Sequence, residues 1–138
     1  MENCKIIIDT NLWISLLIGK RLSEMRMLCN SKTVSVYICK ELMEEFVRIA
    51  SCDKIRKYVP EERIKETVNL MKSSCTEISL KNIIVSSPLR DVNDLFLLVF
   101  ADTIEADYIL TGDKDLLILQ SHNQTKIITY NEFIRLLN

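Results

Sequence analysis

Histidine is nearly absent from this chain of 138 residues: His122 is the only one. It lies in the polar run Ser121-His122-Asn123-Gln124, which reads as a surface loop, so Ser-His-Asp chemistry is set aside. The five cysteines, Cys4, Cys29, Cys39, Cys52 and Cys75, contain no C-x-x-C pair, which leaves a zinc site or a redox pair without support. Most read as reduced core fillers, because a free thiol packs as a small hydrophobe. No apolar run approaches the roughly 20 residues that a membrane helix requires. The first residues also lack the basic, apolar and small-residue succession of a signal peptide, so the expectation is a cytoplasmic protein with no membrane partner. Repeats, linkers and low-complexity stretches are missing too. The formal net charge is −1, which gives no strong sequence-independent grip on nucleic acid. That sum counts acids gathered around a metal and omits the cations that would offset them.

What is present is the composition of a soluble globular chain, 48% hydrophobic and 27% charged, at a length that suits one domain over residues 1–138. The run Lys5-Ile6-Ile7-Ile8 breaks into Asp9-Thr10-Asn11 and resumes as Leu12-Trp13-Ile14. A continuous apolar run of this kind reads as a strand covered on both faces, ending at Asp9. Beyond such a strand an acid either caps the next helix or walls a site, since ligands bind outside the carboxyl ends of parallel strands.

Along the chain, Leu12 to Ile18 reads as a short helix stopped by Gly19, with Leu22, Met25 and Leu28-Cys29 continuing at helical spacing. Thr33 to Ile38 alternates as a second strand. Lys40 to Ser51 is an amphipathic helix with apolar residues at 42, 43, 46, 47, 49 and 50. On its wheel Glu41 falls on the solvent side, while Glu44 and Glu45 flank the apolar stripe. Lys54, Arg56 and Lys57 form a compact basic cluster before a helix from Pro60 to about Ser74. Either Thr76 to Leu80 or Ile83 to Val85 supplies a third strand, and Ser86 to Asp94 is a loop. Asp94 opens a helix from Leu95 to Ala106 that is apolar nearly all round at its start, hence buried on most sides. Asp102 lies about 12 Å along that helix axis, too far to share a cation with Asp94. Tyr108 to Thr111 is a fourth strand; Gly112-Asp113-Lys114-Asp115 turns into a helical run from Leu116 to Gln120. Asp115 is placed either to support the site or to cap that run. A fifth strand, Lys126 to Thr129, precedes a closing helix from Tyr130 to Leu137. Strands alternating with helices predict an α/β fold of three layers, with a mostly parallel sheet between helices.

This arrangement brings acids to element ends at one edge of the sheet: Asp9, Glu44 or Glu45, Asp94 and Asp113. Four carboxylates gathered in one cleft repel one another unless cations offset them. A donor set of carboxylates without histidine or cysteine favours Mg²⁺ or Mn²⁺ over zinc, and such sites serve mainly phosphoryl chemistry.

The segments Ile6-Ile7-Ile8-Asp9-Thr10-Asn11, Glu41-Leu42-x-x-Glu45-Phe46 with Lys54-Ile55 downstream, Arg90-Asp91-x-x-Asp94, and Ala106-Asp107-Tyr108-Ile109-Leu110-Thr111-Gly112-Asp113-Lys114-Asp115-Leu116-Leu117 together resemble the PIN-domain ribonucleases. The match looks closest to the bacterial toxin branch found in toxin–antitoxin pairs. The resemblance implies a Mg²⁺- or Mn²⁺-dependent endoribonuclease acting on single-stranded RNA, with Asp9, Glu45, Asp94 and Asp113 at the family's acidic positions. Asp9, Asp94 and Asp113 would hold one or two cations, and Glu45 would complete the shell or position water. Glu45 is preferred to Glu44 by its spacing from Lys54-Ile55. Asn11 and Thr111 match supporting polar positions, with Asp91 and Asp115 as further helpers. Val92-Asn93 departs from the family pattern and loosens the placement of Asp91. The implied partners are a small antitoxin and a second copy of the chain, and Trp13, Leu16, Leu17 and Ile18 offer an apolar surface for such a homodimer. Lys54, Arg56 and Lys57 are candidates to hold the RNA backbone.

Other readings fit less well. A haloacid-dehalogenase-like phosphatase needs an aspartate two residues after its nucleophile, where this chain has Asn11. A response-regulator receiver needs an acceptor aspartate after a central strand, which Thr33 to Ile38 does not offer. A scaffold or RNA-binding module on the same fold would be marked by loss of acids, and a housekeeping RNA-processing nuclease would share the site.

Overall fold

The computed structural model describes residues 3–79 and 94–138, with Asp94 described through its backbone alone. The predicted α/β class is observed: a central sheet in the order β3-β2-β1-β4-β6-β5 with, among the described residues, eight flanking helices. The strands are β1 (Cys4–Ile8), β2 (Val34–Ile38), β3 (Thr76–Glu77), β4 (Tyr108–Leu110), β5 (Ser121–His122) and β6 (Thr125–Ile128). Every pairing is parallel except β5 with β6. The helices are α1 (Thr10–Ile18), α2 (Leu22–Cys29), α3 (Lys40–Ala50), α4 (Asp53–Arg56), α5 (Glu61–Ser74), α6 (Asp94–Ile104), α7 (Lys114–Leu117) and α8 (Tyr130–Leu137).

β1 lies between β2 and β4, and its apolar run is sealed: Ile6 and Ile7 show no exposed surface. Each such side chain contributes about 1.5–3 kcal/mol by leaving water. Layers of helices on both faces are what a near-continuous apolar strand requires. On one side α1 packs on α3 and α2 on α5; α6 lies against β1 and β4. Right-handed crossovers explain the division, because the chain moves one way from β1 to β3 and then returns past β1 to β4.

Several expectations are corrected here. The sheet has a sixth strand: His122 belongs to β5, joined to β6 by the two-residue turn Asn123-Gln124, with Asn123 at φ 53°. Asparagine accepts that left-handed conformation more readily than most residues. The helical run placed at Leu116 to Gln120 begins earlier, at Lys114, and is spent by Leu117, which frees Gln120 (φ 62°) to turn into β5. The third strand is β3 at Thr76–Glu77, while Ile83 to Val85 lies outside the described residues. Trp13, Leu16 and Leu17 are buried in the core, so of the residues proposed as a dimer surface only Ile18 is exposed. Helix α1 buries Trp13, Ile14, Leu16 and Leu17 and packs against α2 and α3, while Asn11, Ser15 and Ile18 are exposed. Cys52 is exposed, unlike Cys4, Cys29 and Cys39, which fill the core as free thiols.

Candidate active site

The polar end of β1 is built by continuing the ladder one step past the last strand residue. The Asp9 N–H donates to the Leu110 carbonyl at 3.0 Å, and the Thr111 N–H donates to the Ile128 carbonyl at 3.0 Å. Asp9 and Thr111 thereby emerge side by side from adjacent strands at the edge where parallel sheets present their sites. The Thr111 hydroxyl donates to Asp9 Oδ2 at 2.8 Å, while Asp9 Oδ1 accepts the Asn11 N–H at 3.3 Å and so caps α1. The choice between a capping acid and a site acid is therefore not exclusive: one oxygen ends the helix and the other faces Thr111.

Thr111 also links to the next acid. Its hydroxyl oxygen accepts the Asp113 N–H at 3.0 Å, and Asp113 Oδ1 accepts the Asp115 N–H at 2.9 Å. Asp113, not Asp115, is the cap of the short α7; Asp115 sits exposed in its first turn. Asp9 is buried, at 8% exposure, and Thr111 wholly so. Burial pushes the Asp9 carboxyl above its ordinary value, the bonds from Thr111 and the Asn11 N–H pull it down, and the negative charge of Asp113 pushes it up again. A buried carboxylate beside a second one is an electrostatic debt that a cation would settle. Asn11, Leu12, Ser15, Gly112 and Asp113 line an open cavity of about 300 Å³ at this point.

The acids on α3 divide cleanly. Glu44 is exposed, 3.7 Å from Lys40. Glu45 is 7% exposed, and both of its oxygens accept from Arg48, Oε2 from Nε at 3.4 Å and Oε1 from an Nη2 N–H at 2.5 Å. Glu41, expected to face solvent, is only half-exposed, and its Oε2 is buried with no hydrogen-bond partner among the described residues. It lies close enough to Cys39, at the end of β2, that its charge adds to the effect of burial in pushing that thiol up to about 12. The buried face of α3 is turned from the apolar stripe: Val47 is 39% exposed, while Glu45 joins Leu42, Phe46 and Ala50 inside. Of the apolar stripe, Val47 is the residue turned to solvent, while Met43 and Ile49 are partly buried against the core.

Asp94 begins α6 as expected, and its side chain and all of Asp91 lie outside the described residues. The structure thus brings together Asp9, Asn11, Thr111, Asp113 and Asp115, and places Glu45 on a helix packed against α1. No described hydrogen bond joins Glu45 to Asp9 or Asp113. Lys54 and Arg56 lie on α4 and Lys57 follows it, all three exposed and none lining the 300 Å³ cavity. Among the described residues no group of three histidine, cysteine, aspartate or glutamate side chains converges to hold a metal. Asp9 and Asp113 supply two ligands of the oxygen-only kind that a hard cation takes; Glu45, also described, does not join them in such a group. Sequence reasoning missed Arg48 and Glu41; the i,i+3 spacing of Glu45 and Arg48 was the available sign of the first.

A family model described as PIN domain matches residues 5–115, a span that includes Asp9, Glu45, Asp94 and Asp113. None of the curated proteins compared with the chain matches it.

Proposed function

Since the chain belongs to the PIN-domain family, whose members are generally nucleases that use a divalent metal, we propose that it is a Mg²⁺- or Mn²⁺-dependent endoribonuclease cleaving single-stranded RNA. The observation that supports this most is the buried Asp9 carboxylate, oriented by Thr111 and charge-coupled to Asp113 at the sheet's carboxyl edge. Asp9, Asp113 and Asp94 would hold the cation. When bound, it supplies a water of lowered pKa and neutralises charge on the attacking and leaving oxygens. Thr111 holds Asp9 Oδ2 in place and, through the Asp113 N–H, fixes the turn that carries the second acid. Asn11 supports Asp9 through its backbone and lines the cavity in which a phosphodiester would lie. Glu45 is the acid in reserve, to complete the metal shell or orient the water. Lys54, Arg56 and Lys57 are an exposed basic surface suited to the RNA backbone away from the reacting phosphate.

Within this reading the protein acts as one domain in the cytoplasm, as a toxin restrained by a small antitoxin. Self-association as a homodimer belongs to the same proposal, but it cannot run through Trp13, Leu16 and Leu17, which are core residues. Among the described residues no helix is long and apolar enough to cross a membrane.

The test is cleavage by the purified chain. Single-stranded RNA should be cut in Mg²⁺ or Mn²⁺, spared in EDTA, and left with 5′-phosphate and 3′-hydroxyl ends, the products of in-line attack by water. Cyclic or 3′-phosphate ends that persist in EDTA would point to a contaminating metal-independent ribonuclease. RNA that stays intact over a broad panel of sequences, yet shifts on a gel, would replace the enzyme by a binding module on the same fold.

A further inference from the structure

Cys29 and Cys75 are 46 positions apart in the chain, yet their Sγ atoms lie 3.7 Å from each other. Each stands at a helix end, Cys29 as the last residue of α2 and Cys75 as the C-cap of α5. The two helices pack together, and further back along both, Arg26 Nη2 donates to Glu66 Oε2 at 3.2 Å. The other thiols differ: Cys4 and Cys39 are buried, Cys52 is exposed, and among the described residues none of the three has a thiol neighbour at hydrogen-bond distance. A disulfide needs its sulfurs at about 2.05 Å and its Cβ atoms at about 3.5–4.5 Å. Two sulfurs in van der Waals contact are one side-chain rotation from that geometry, and neither residue is locked inside a helix on both sides. Cys29 is 6% exposed and Cys75 partly exposed, so a reagent enters at Cys75.

We propose that Cys29 and Cys75 are an oxidisable pair, a modification site at which a small disulfide of the glutathione class closes an intramolecular bond that staples α2 to α5. The exchange runs in two steps. Cys75 gives up its proton, and its thiolate attacks one sulfur of the small disulfide; a mixed disulfide forms, the reagent's S–S bond breaks, and the departing thiolate takes up a proton. Cys29 then gives up its own proton and attacks the Cys75 sulfur, which breaks the mixed bond and expels the second small thiol. The two cysteines are oxidised by two electrons, and the reagent leaves as two reduced thiols. Because the thiolate is the reacting form, the hydrogen bond with Cys29 and burial, which both push the Cys75 thiol up, make closure slow at neutral pH and faster in alkali. In reducing surroundings the pair stays as thiols, and a disulfide formed there is a transient, redox-sensing one. The closed loop holds β2, α3, α4 and nearly all of α5, whereas Asp9, Thr111 and Asp113 lie outside it. The staple therefore acts on the stability of the helical layer and does not depend on the nuclease reading.

The experiment exposes the full chain to excess oxidised glutathione at about pH 8, where more thiolate is present, and follows it by tryptic peptide mapping and by melting curves with and without dithiothreitol. The peptides of Cys29 and Cys75 should leave linked to each other and separate in dithiothreitol. The melting temperature of the oxidised chain should stand roughly 5–10 °C above that of the reduced one, as closure of a long loop gives. Cys75→Ser should show neither the link nor the rise, and Cys52→Ser should show both. If Cys75→Ser does not fold, Cys29→Ala takes its place, and the peptide map of the wild-type chain decides in either case. Recovery of Cys29 and Cys75 as free thiols overturns the proposal, as does a glutathione adduct that stays on Cys75 or a link from either residue to another cysteine. A linked pair without a rise in melting temperature overturns the staple, and an equal rise in Cys75→Ser assigns the effect to some other thiol and overturns it too.

Discussion

Asp9 and Asp102 each accept two hydrogen bonds, and their carboxyls are pushed in opposite directions. Asp102, near the end of α6, takes His122 Nε2 at 3.0 Å and the Asn123 amide at 2.8 Å. It is well exposed, so these two bonds dominate and hold it below its ordinary value. Asp9 has comparable partners in Thr111 and the Asn11 N–H, but it is buried and shares its surroundings with Asp113, and the balance comes out above the ordinary value. Hydrogen-bond count alone does not distinguish a structural acid from a poised one. Burial beside a second negative charge does. The Asp102 cluster is a latch that ties the β5–β6 hairpin to α6, whereas among the described residues no cation is paired with Asp9.

The largest expected effect separates the two in activity. Asp9→Asn and Asp113→Asn should each lower RNA cleavage in Mn²⁺ by more than about 100-fold, beyond what loss of an outer supporting group does, while Asp102→Asn should cut at the wild-type rate. A cleavage assay on a single RNA at fixed Mn²⁺ decides it, and equal losses at Asp9 and Asp102 would erase the distinction. Thr111→Val should come next. It strips Asp9 Oδ2 of its partner, at about 1–3 kcal/mol of folding stability, and activity should fall by about 10- to 100-fold as a lost orienting bond does. Urea melts with the cleavage assay read both halves.

A third prediction concerns pH, measured in EDTA as the difference in melting temperature between wild type and each asparagine variant. Asp9 has its folded value raised above the unfolded 3.8. Its contribution is therefore complete below that value and lost as pH rises through the folded one, so wild type should gain on Asp9→Asn as the solution is acidified from neutral. Asp102 has its folded value lowered. Its contribution is present above the unfolded value and lost as pH falls through the folded one, so wild type should lose its advantage over Asp102→Asn in acid. Slopes of the same sign would contradict the opposed balance of burial and bonding. The smallest effect is expected from the basic cluster. Neutralising Lys54, Arg56 and Lys57 should weaken RNA binding evenly across sequences and flatten its salt dependence, with the slope falling by at most about one for each phosphate that no longer meets a cation. A change in sequence preference would place the cluster at the bases instead.

Much of this was legible where one physical signal dominated. The unbroken Ile6-Ile7-Ile8 run announced a strand covered on both faces, and that fixed where Asp9 had to emerge. The segment from Tyr108 to Asp113 did the same for the second acid. Legibility failed where two signals competed. Ser121 and His122 have the polarity of a loop, and they pair only because the Asn123-Gln124 turn returns the chain to β6. On α3 the apolar count includes the exposed Val47 and leaves out the buried Glu45, which it could not weigh as a buried residue without its counter-ion Arg48. Asp115 reads either as a supporting acid or as a cap, and the turn fixed by Thr111 gives the cap to Asp113. These cases share a cause: a pattern of residue types along one element carries no information about charge supplied from the neighbouring turn.

Both margins of the described sheet are two residues long, β3 at one side and β5 at the other. A margin that short presents too little open backbone for another chain to add a strand, which is how many sheet proteins avoid fibrous or edge-to-edge association. β5 also runs against the direction of its neighbours, so a strand laid on it would meet a reversed template only two residues deep. The homodimer proposed above would therefore be held by side chains on helical or loop surfaces. Such contacts can be tuned residue by residue, and the sheet that carries Asp9 and Thr111 stays a closed internal frame whatever assembles around it.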